Sequence, residues 1–298
     1  MEVFSYSRLS KYEDCPAAFY RHYVLDASEI PTELLAVGKA SHSVIEAAMK
    51  LDLKDEASFR VLSKIAADNA PVPISPEEIF EMTYREIVLK EFHPENKIEE
   101  HFVVPLSDDP FTPSIQGYID LYRDSGFVQI VDWKTNRKPY YPTDTKQLGL
   151  YAWHKARETG KAVRGKLVFL RLNESPEHEF SYRDMEDARE WALNLALEIQ
   201  GKLCQIKEGA DYAALFPIRP GDACRYCGFS MECVMESGLS VPGEIKTYPE
   251  AESLGAEILR LESALGNMKD MLKSYVEAAG PVTVGGRQFL IKESRYWK

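Results

Sequence analysis

Three closely spaced apolar segments in the middle of the chain restrict the fold more than any other feature. They read KIEEHFVVPL, SIQGYIDLYR and GFVQIVDWKT, and their β-branched and aromatic residues predict three strands. Asp124-Ser125-Gly126 predicts a hairpin between the last two. Because helical periodicity precedes and follows these strands, we expect an α/β (α+β) fold with a central mixed sheet flanked by helices.

The helices are predicted from apolar stripes and capping residues. A stripe over residues 34–51 includes Val37, Val44 and Ile45, and Ser75-Pro76-Glu77-Glu78 predicts the start of a helix that runs to about Phe92. Further helices are expected at 143–159 and 185–207, with strands at GKLVFLRL and HEFSYR.

The chain beyond Val241-Pro242-Gly243 is predicted to form an appendage, which gives domains 1–242 and 243–298. A helix from Pro249 to Gly280 and a small hairpin over 282–291 are expected there. Apolar residues recur in the helix at four-and-three spacing: Leu254, Ile258, Leu261, Leu265, Met268, Leu272 and Tyr275. This seam is explained either by packing on the rest of the chain or by pairing with a partner protein.

Composition is that of a globular protein: 298 residues, 45% hydrophobic and 28% charged. The chain has neither a run of eighteen apolar residues nor a signal-peptide pattern, so we expect a cytoplasmic protein without membrane spans. The net charge of −11 argues weakly against nucleic acid as a partner, because binding phosphate requires only a local basic patch.

The third strand ends in an acid and a base that share one face, because side chains alternate along a strand. These residues are Asp132 and Lys134, and Trp133 points the other way. A three-residue hairpin loop would place Asp120 opposite Ile130, roughly 7–8 Å diagonally from Asp132. Two such carboxylates can hold a hard cation, and the lysine can stabilise charge on a phosphate. A surface ion pair at the end of a strand is the alternative.

The pattern D-x(11)-D-x-K resembles the PD-(D/E)XK nuclease superfamily, although Ile119 stands where the name has proline. The segments GKASH, which ends at His42, and QLGLY, from Gln147 to Tyr151, resemble its RecB-like members. The resemblance implies Mg²⁺ or Mn²⁺ bound by His42, Asp120, Asp132 and the backbone carbonyl of Trp133. It implies catalytic roles for Asp120, Asp132, Lys134, Gln147 and Tyr151, while Glu46 and Glu99 are weaker candidate ligands.

Three of the five cysteines lie within ten residues, namely Cys224, Cys227 and Cys233. Thiolates suit an iron–sulfur cluster or zinc, and free thiols are a third possibility. With Cys15 in its YEDCP setting, the pattern resembles the iron–sulfur members of RecB-like nucleases, such as CRISPR-associated exonucleases and the subunit AddB. That resemblance implies a [4Fe–4S] cluster on these four cysteines and leaves Cys204 outside it.

The segment after Lys134 interleaves bases with aromatic residues, a pattern suited to phosphate contact and base stacking. Arg137, Lys138, Tyr140 and Lys146 are the predicted DNA-binding residues, unless the segment is a solvated loop. The resemblance implies a DNA exonuclease acting on single strands or duplex ends in recombination, repair, replication or CRISPR adaptation. A non-catalytic module that binds DNA ends or a partner is the alternative. The chain has no phosphate-binding loop for ATP, so a helicase, recombinase or CRISPR-adaptation protein is a candidate partner.

Overall fold

The computed structural model describes residues 2–29, 31–237, 245–284 and 287–291. The chain divides into two compact units. The first unit comprises Met1–Glu13 and Glu33–Leu215, and the second, the cysteine unit, comprises Asp14–Thr32 and Phe216–Lys298. The predicted boundary at 242–243 lies outside the described residues.

A mixed sheet forms the centre of the first unit. Its strands are β1 (Val3–Ser5), β2 (Lys97–Pro105), β3 (Ser114–Asp124), β4 (Val128–Lys134), β5 (Val163–Phe169) and β6 (Glu177–Glu179). The order is β1-β3-β4-β5-β6, and β2 pairs with the other edge of β3. The β1–β3 and β4–β5 pairs are parallel, and the others are antiparallel.

The sheet opens between β1 and β4, which pair with different parts of β3. Strand β4 pairs with β3 only from Asp124 to Leu121, whereas β1 pairs with it from Ser114 to Gln116. The intervening residues of β3 have no strand on that edge within the described residues. Strand β1 was not predicted, since its three residues carry too little periodicity to distinguish a strand from the helix that follows.

Helices cover both faces of this sheet. The helices of this unit are α1 (Tyr6–Asp14), α3 (Glu33–Lys50), α4 (Glu56–Asp68), α5 (Pro76–Thr83), α6 (Glu86–Leu89), α7 (Gln147–Thr159), α8 (Tyr182–Lys207) and α9 (Tyr212–Leu215). On one face, Val37 and Ile45 of α3 pack with Val131 and Trp133 of β4. On the other, Leu148 of α7 lies over Gly165 of β5. The predicted fold class is confirmed.

Side-chain caps explain where two of these helices, α5 and α4, begin. Ser75 accepts from the N–H of Glu78 as predicted, but the helix ends at Thr83 and a short helix follows, so the single helix to Phe92 was wrong. Helix α4 was not predicted, although Asp55 caps it by accepting from the N–H of Ser58. No helix in the described part of the chain is long and apolar enough to cross a membrane.

The cysteine unit contains α2 (Pro16–Tyr23), a 3-10 helix (Asp222–Tyr226), α10 (Ser230–Ser237), α11 (Tyr248–Ala279), β7 (Val282–Val284) and β8 (Arg287–Phe289). Strands β7 and β8 form the predicted hairpin, whose turn at Gly285-Gly286 lies outside the described residues. Helix α11 packs on α10 and on the 3-10 helix. Its buried residues include Arg260, Ala264 and Asn267. The predicted seam residues Ile258, Leu265, Met268 and Tyr275 are instead exposed.

Candidate functional site

The β3–β4 hairpin sets the position of the two aspartates. Leu121 pairs with Val131, so Asp120 stands opposite Asp132 rather than opposite Ile130 as expected. The register differs from the expectation because Asp124 pairs with Val128, which leaves Ser125–Phe127 as the loop. In this register Asp120 and Asp132 each come one residue beyond the last pair, which is Leu121 and Val131.

Asp120 fills the opening in the sheet. Its Oδ2 accepts a hydrogen bond of 2.9 Å from the backbone N–H of Trp133, at the point where β4 no longer pairs with β3. The side chain therefore satisfies a backbone donor and remains only 11% exposed.

His42 of α3 contacts both β3 and β4. Its Nδ1 lies 3.3 Å from Asp120 Oδ2, and its Nε2 lies 2.8 Å from the carbonyl oxygen of Trp133. Burial alone would lower the pKa of His42, but the hydrogen bond to Asp120 and the charges of Asp120 and Asp132 raise it to about 9. Without a bound cation, an imidazolium that donates from both nitrogens fits this position.

Glu99 of β2 belongs to the same group of donor atoms. One ligand atom each from His42, Glu99 and Asp120 lies within 4.8 Å of the others. Burial, followed by the charges of Asp120 and Glu46, raises the pKa of Glu99 to about 7. Its φ of 53° is in the left-handed region, which is unusual inside a strand and costs about 1–3 kcal/mol. Glu46 instead pairs with Lys50 at 2.6 Å.

Asp132 and Lys134 share a face of β4 and form an ion pair, with Lys134 Nζ 2.6 Å from Asp132 Oδ2. Asp132 is only 1% exposed, and burial is the main cause that raises its pKa. Burial lowers the pKa of Lys134, but Asp132, Tyr140 and Asp120 outweigh this and raise it, so the amine stays charged. The pair provides an acid able to hold a cation beside a permanent positive charge.

Lys134 is also held from α7. Its Nζ donates to Gln147 Oε1 at 2.8 Å, and Gln147 Nε2 donates to the hydroxyl of Tyr151 at 3.3 Å. The ring of Tyr151 fits because a glycine faces it: a Cβ on Gly117 would lie 2.7 Å from Tyr151 Cε1. The structure thus brings together the five predicted catalytic residues and the predicted metal ligands.

The predicted DNA-binding residues separate into two kinds. Arg137 and Lys138 are exposed in the loop between β4 and α7. Tyr140 is half-buried with its ring edge-on to Phe169, at 5.1 Å between centroids, and it interacts with Lys134. Lys146 lies just before α7. The sequence did not indicate that Tyr140 turns back towards the lysine.

A second group of donors, Glu100, His154 and Glu158, surrounds the buried ammonium of Lys155. Lys155 Nζ pairs with Glu100 and, at 2.8 Å, with Glu158. Because this lysine already supplies the positive charge, the group is an ion-pair network and not a candidate metal centre.

The four cysteines predicted to act together all belong to the cysteine unit. Cys15 precedes α2, Cys224 lies in the 3-10 helix, Cys227 ends that helix, and Cys233 is buried in α10. The N–H groups of Arg219 and Gly221 approach Cys15 Sγ and Cys224 Sγ at 3.5 and 3.4 Å. Burial is the main cause that raises the pKa of Cys224, and the charges of Cys15 and Cys233 raise it further. Cys204 is exposed on α8 in the other unit.

A mixed sheet flanked by helices, with His42, Asp120, Asp132 and Lys134 gathered where β3 and β4 separate, is the arrangement expected of a nuclease-like fold. The PD-(D/E)XK nuclease superfamily model matches residues 3–234. The chain belongs to that superfamily, and nuclease activity by metal-dependent phosphodiester hydrolysis follows from the membership.

One solved structure that the chain resembles is described as "Crystal structure of SSO0001". The similarity has a TM-score of 0.38 and 10% identity, and it covers 77% of this chain and 85% of the other. No curated protein matches the chain.

Proposed function

We propose that the chain is a RecB-like DNA exonuclease that uses Mg²⁺ or Mn²⁺ and carries a [4Fe–4S] cluster. The observation that carries the nuclease proposal is the meeting of two strand-borne carboxylates, a histidine and a lysine at the opening of the sheet. An ion pair on the surface would not require Asp132 to be buried to 1% exposure. Nor would it require a histidine that contacts both β3 and β4.

His42, Asp120, Asp132 and the carbonyl of Trp133 fit a hard divalent cation, since oxygen and imidazole donors suit Mg²⁺ and Mn²⁺. Glu99 is a further candidate, because its carboxylate lies within 4.8 Å of His42 and Asp120 donor atoms. His42 cannot coordinate a cation through a nitrogen that still donates to its present partner. Loading the site therefore requires it to give up a proton and one contact.

The chain's own residues have distinct tasks in hydrolysis. When bound, the cation polarises the scissile phosphate and lowers the pKa of a water molecule. Lys134, kept charged by Asp132, stabilises negative charge that develops on the phosphate oxygens. Gln147 accepts from Lys134 and fixes its direction, while Tyr151 fixes Gln147. Arg137 and Lys138 extend from the same region towards solvent, where they can contact the DNA backbone.

Cys15, Cys224, Cys227 and Cys233 fit an iron–sulfur cluster because they lie in one unit and come from two segments far apart in sequence. The backbone N–H groups near two of the sulfurs are typical of thiolates that carry charge in a cluster. Its role would be to tie residues 14–32 to residues 216–298. Phosphodiester hydrolysis itself transfers no electrons.

The deciding experiment compares the wild type with Lys134→Ala on end-labelled linear and circular single-stranded DNA with Mg²⁺ or Mn²⁺. An exonuclease degrades the linear DNA, spares the circle and is inactivated in Lys134→Ala. Lys161→Ala is the matched control, because Lys161 is a partly exposed lysine paired with Asp124 at the far end of the hairpin. Equal degradation by wild type and Lys134→Ala would overturn the proposal. DNA binding without cleavage would favour a non-catalytic module that binds DNA ends or a partner.

DNA ends are the proposed substrate, and a helicase, recombinase or CRISPR-adaptation protein is the proposed kind of partner that exposes them. Co-purification from the native cell, followed by identification of the bound proteins, tests the partner proposal.

A further inference from the structure

A buried arginine of α11 lies against one of the four cysteines. Arg260 is 3% exposed, and its Nη1 donates to the carbonyl oxygen of Cys233 at 2.9 Å and approaches Cys233 Sγ at 3.5 Å. Glu257 holds the other side of the guanidinium and accepts from Nε at 2.8 Å. The arginine is therefore fixed in direction by contacts on both sides.

A second arginine lies near the same helix. Arg21 of α2 forms an ion pair with Glu236 of α10, one helical turn beyond Cys233. Both guanidinium groups therefore have a carboxylate partner, Glu236 for Arg21 and Glu257 for Arg260, which offsets the cost of burying their charge. Of the two, Arg260 also directs a donor at the carbonyl oxygen and the sulfur of Cys233.

We propose that Arg260 is a positioning residue for the iron–sulfur centre, donating a charge-assisted hydrogen bond to the Cys233 thiolate. The inference rests on the proposed cluster. Four thiolates around a cluster leave net negative charge in a partly buried place, and a cationic donor offsets it. Charge and hydrogen bonds at the sulfurs also set the reduction potential, so removing Arg260 should lower that potential and loosen the cluster.

This role explains the buried face of α11. The face that meets α10 and the 3-10 helix carries Arg260, Ala264 and Asn267 at helical spacing. Asn267 donates to the hydroxyl of Ser230 at 2.8 Å and so fixes α10 next to the cysteine. The polar side of the tail helix is thus a cover for the cysteine centre.

The test compares anaerobically reconstituted, full-length wild type with Arg260→Gln, Arg260→Lys and Asn267→Ala. Asn267→Ala is the matched control, because it removes a buried hydrogen bond from the same face without touching a sulfur. The readouts are iron content, the visible spectrum, the reduction potential by spectroelectrochemical titration, and the rate of cluster loss to a chelator.

We expect Arg260→Gln to have a lower reduction potential and to lose its cluster about tenfold faster or more. The reason is that a hydrogen bond with a charged donor is stronger than one between neutral groups. Arg260→Lys, which keeps the charge but not the planar fork, should lie between Arg260→Gln and wild type. Asn267→Ala should keep the wild-type potential even if its melting temperature falls. If Arg260→Gln does not fold, a lowered potential in Arg260→Lys supports the inference.

Unchanged potentials in the loaded arginine variants would overturn the inference, as would an equal shift in Asn267→Ala. Neither result would argue against the proposal that the protein carries an iron–sulfur cluster. Failure of the wild type itself to take up iron is a different result, which removes the cluster and this inference together.

Discussion

Asp120 replaces a neighbouring strand as the hydrogen-bond acceptor for Trp133, whose N–H lies 2.9 Å from the carboxylate. The replacement occurs where β4 stops pairing with β3 after Val131. The Asp120 carboxylate thus provides the acceptor that the backbone N–H of Trp133 would otherwise lack. Its negative charge also acts on Asp132. The hydrogen bond to Trp133 and the proposed binding of a cation depend on the same side chain. A substitution that keeps the shape of Asp120 but removes its charge can separate the two roles.

Asp120→Asn should retain the fold but lose metal-dependent cleavage. The amide oxygen can still accept from Trp133, but the charge that attracts the cation is gone. We expect cleavage to fall about 100-fold or more, since a cation contributes several kcal/mol to stabilising the transition state. Mn²⁺ should raise the melting temperature of the wild type but not of Asp120→Asn. Asp124→Asn, where β3 meets the hairpin loop, is the control, and comparable activity of all three proteins would refute the assignment.

Metal affinity should depend on pH through His42. The pKa of His42 in the folded chain is about 9, above its ordinary value of 6.5. The protonated histidine therefore stabilises the cation-free fold fully below about pH 6.5, and this contribution is lost as the pH rises through about 9. A divalent cation needs the neutral ring, so loss of the His42 proton by itself should raise the affinity for Mn²⁺ about tenfold per pH unit up to about pH 9.

Titration calorimetry in buffers of different ionisation enthalpy measures the protons released on binding Mn²⁺. His42→Gln should release fewer protons than the wild type and show a shallower pH dependence. The carboxyl of Glu99, whose pKa is about 7, contributes to the release in both proteins, so only the difference reports on His42. Equal proton release by both proteins would exclude His42 as a ligand that must lose a proton.

Gly117→Ala should disturb Lys134 without touching it. The added methyl group would lie 2.7 Å from Tyr151 and 2.8 Å from Phe102, so the Tyr151 ring must move away from Gln147. We expect kcat to fall about tenfold, with metal affinity unchanged, because small displacements of positioning groups slow chemistry. Gly126→Ala is the control, since a methyl group there meets nothing within 4 Å. A loss of metal affinity in Gly117→Ala would show that the strand, not the lysine, had been disturbed.

The sequence predicted the strands around the site better than their register. Asp132 and Lys134 share a face because successive side chains of a strand point to opposite faces, and this could be predicted from their spacing alone. The position of Asp120 opposite Asp132 depends on a hairpin loop of Ser125–Phe127, which composition does not fix. The left-handed backbone of Glu99 and the burial of Arg260 depend on contacts with residues far away in the sequence. No local sequence pattern predicts either feature.

The exposed bases after β4 should govern the salt dependence of DNA binding. Each phosphate contact that is lost from single-stranded DNA lowers the slope of log affinity against log salt by about 0.7. If Arg137 and Lys138 both contact phosphates, the double variant to Gln should lower that slope by about 1.4 and weaken binding of all sequences alike. Lys64→Gln, on α4 and paired with Asp68, should leave the slope unchanged. An unchanged slope in the double variant would identify the segment as a solvated loop.

Cys227→Ala should abolish the visible absorption of the proposed cluster and lower the melting temperature, because residues 14–32 and 216–237 would lose their common ligand. Cys204→Ala should have no such effect, since Cys204 is exposed on α8. An iron chelator should destabilise the wild type but not Cys227→Ala, because in the variant no cluster remains to be removed. If the purified protein contained zinc and did not absorb visible light, the four cysteines would hold a structural zinc ion instead of an iron–sulfur cluster. Identical colour and stability in the wild type and Cys227→Ala would show that these cysteines do not hold a shared metal centre.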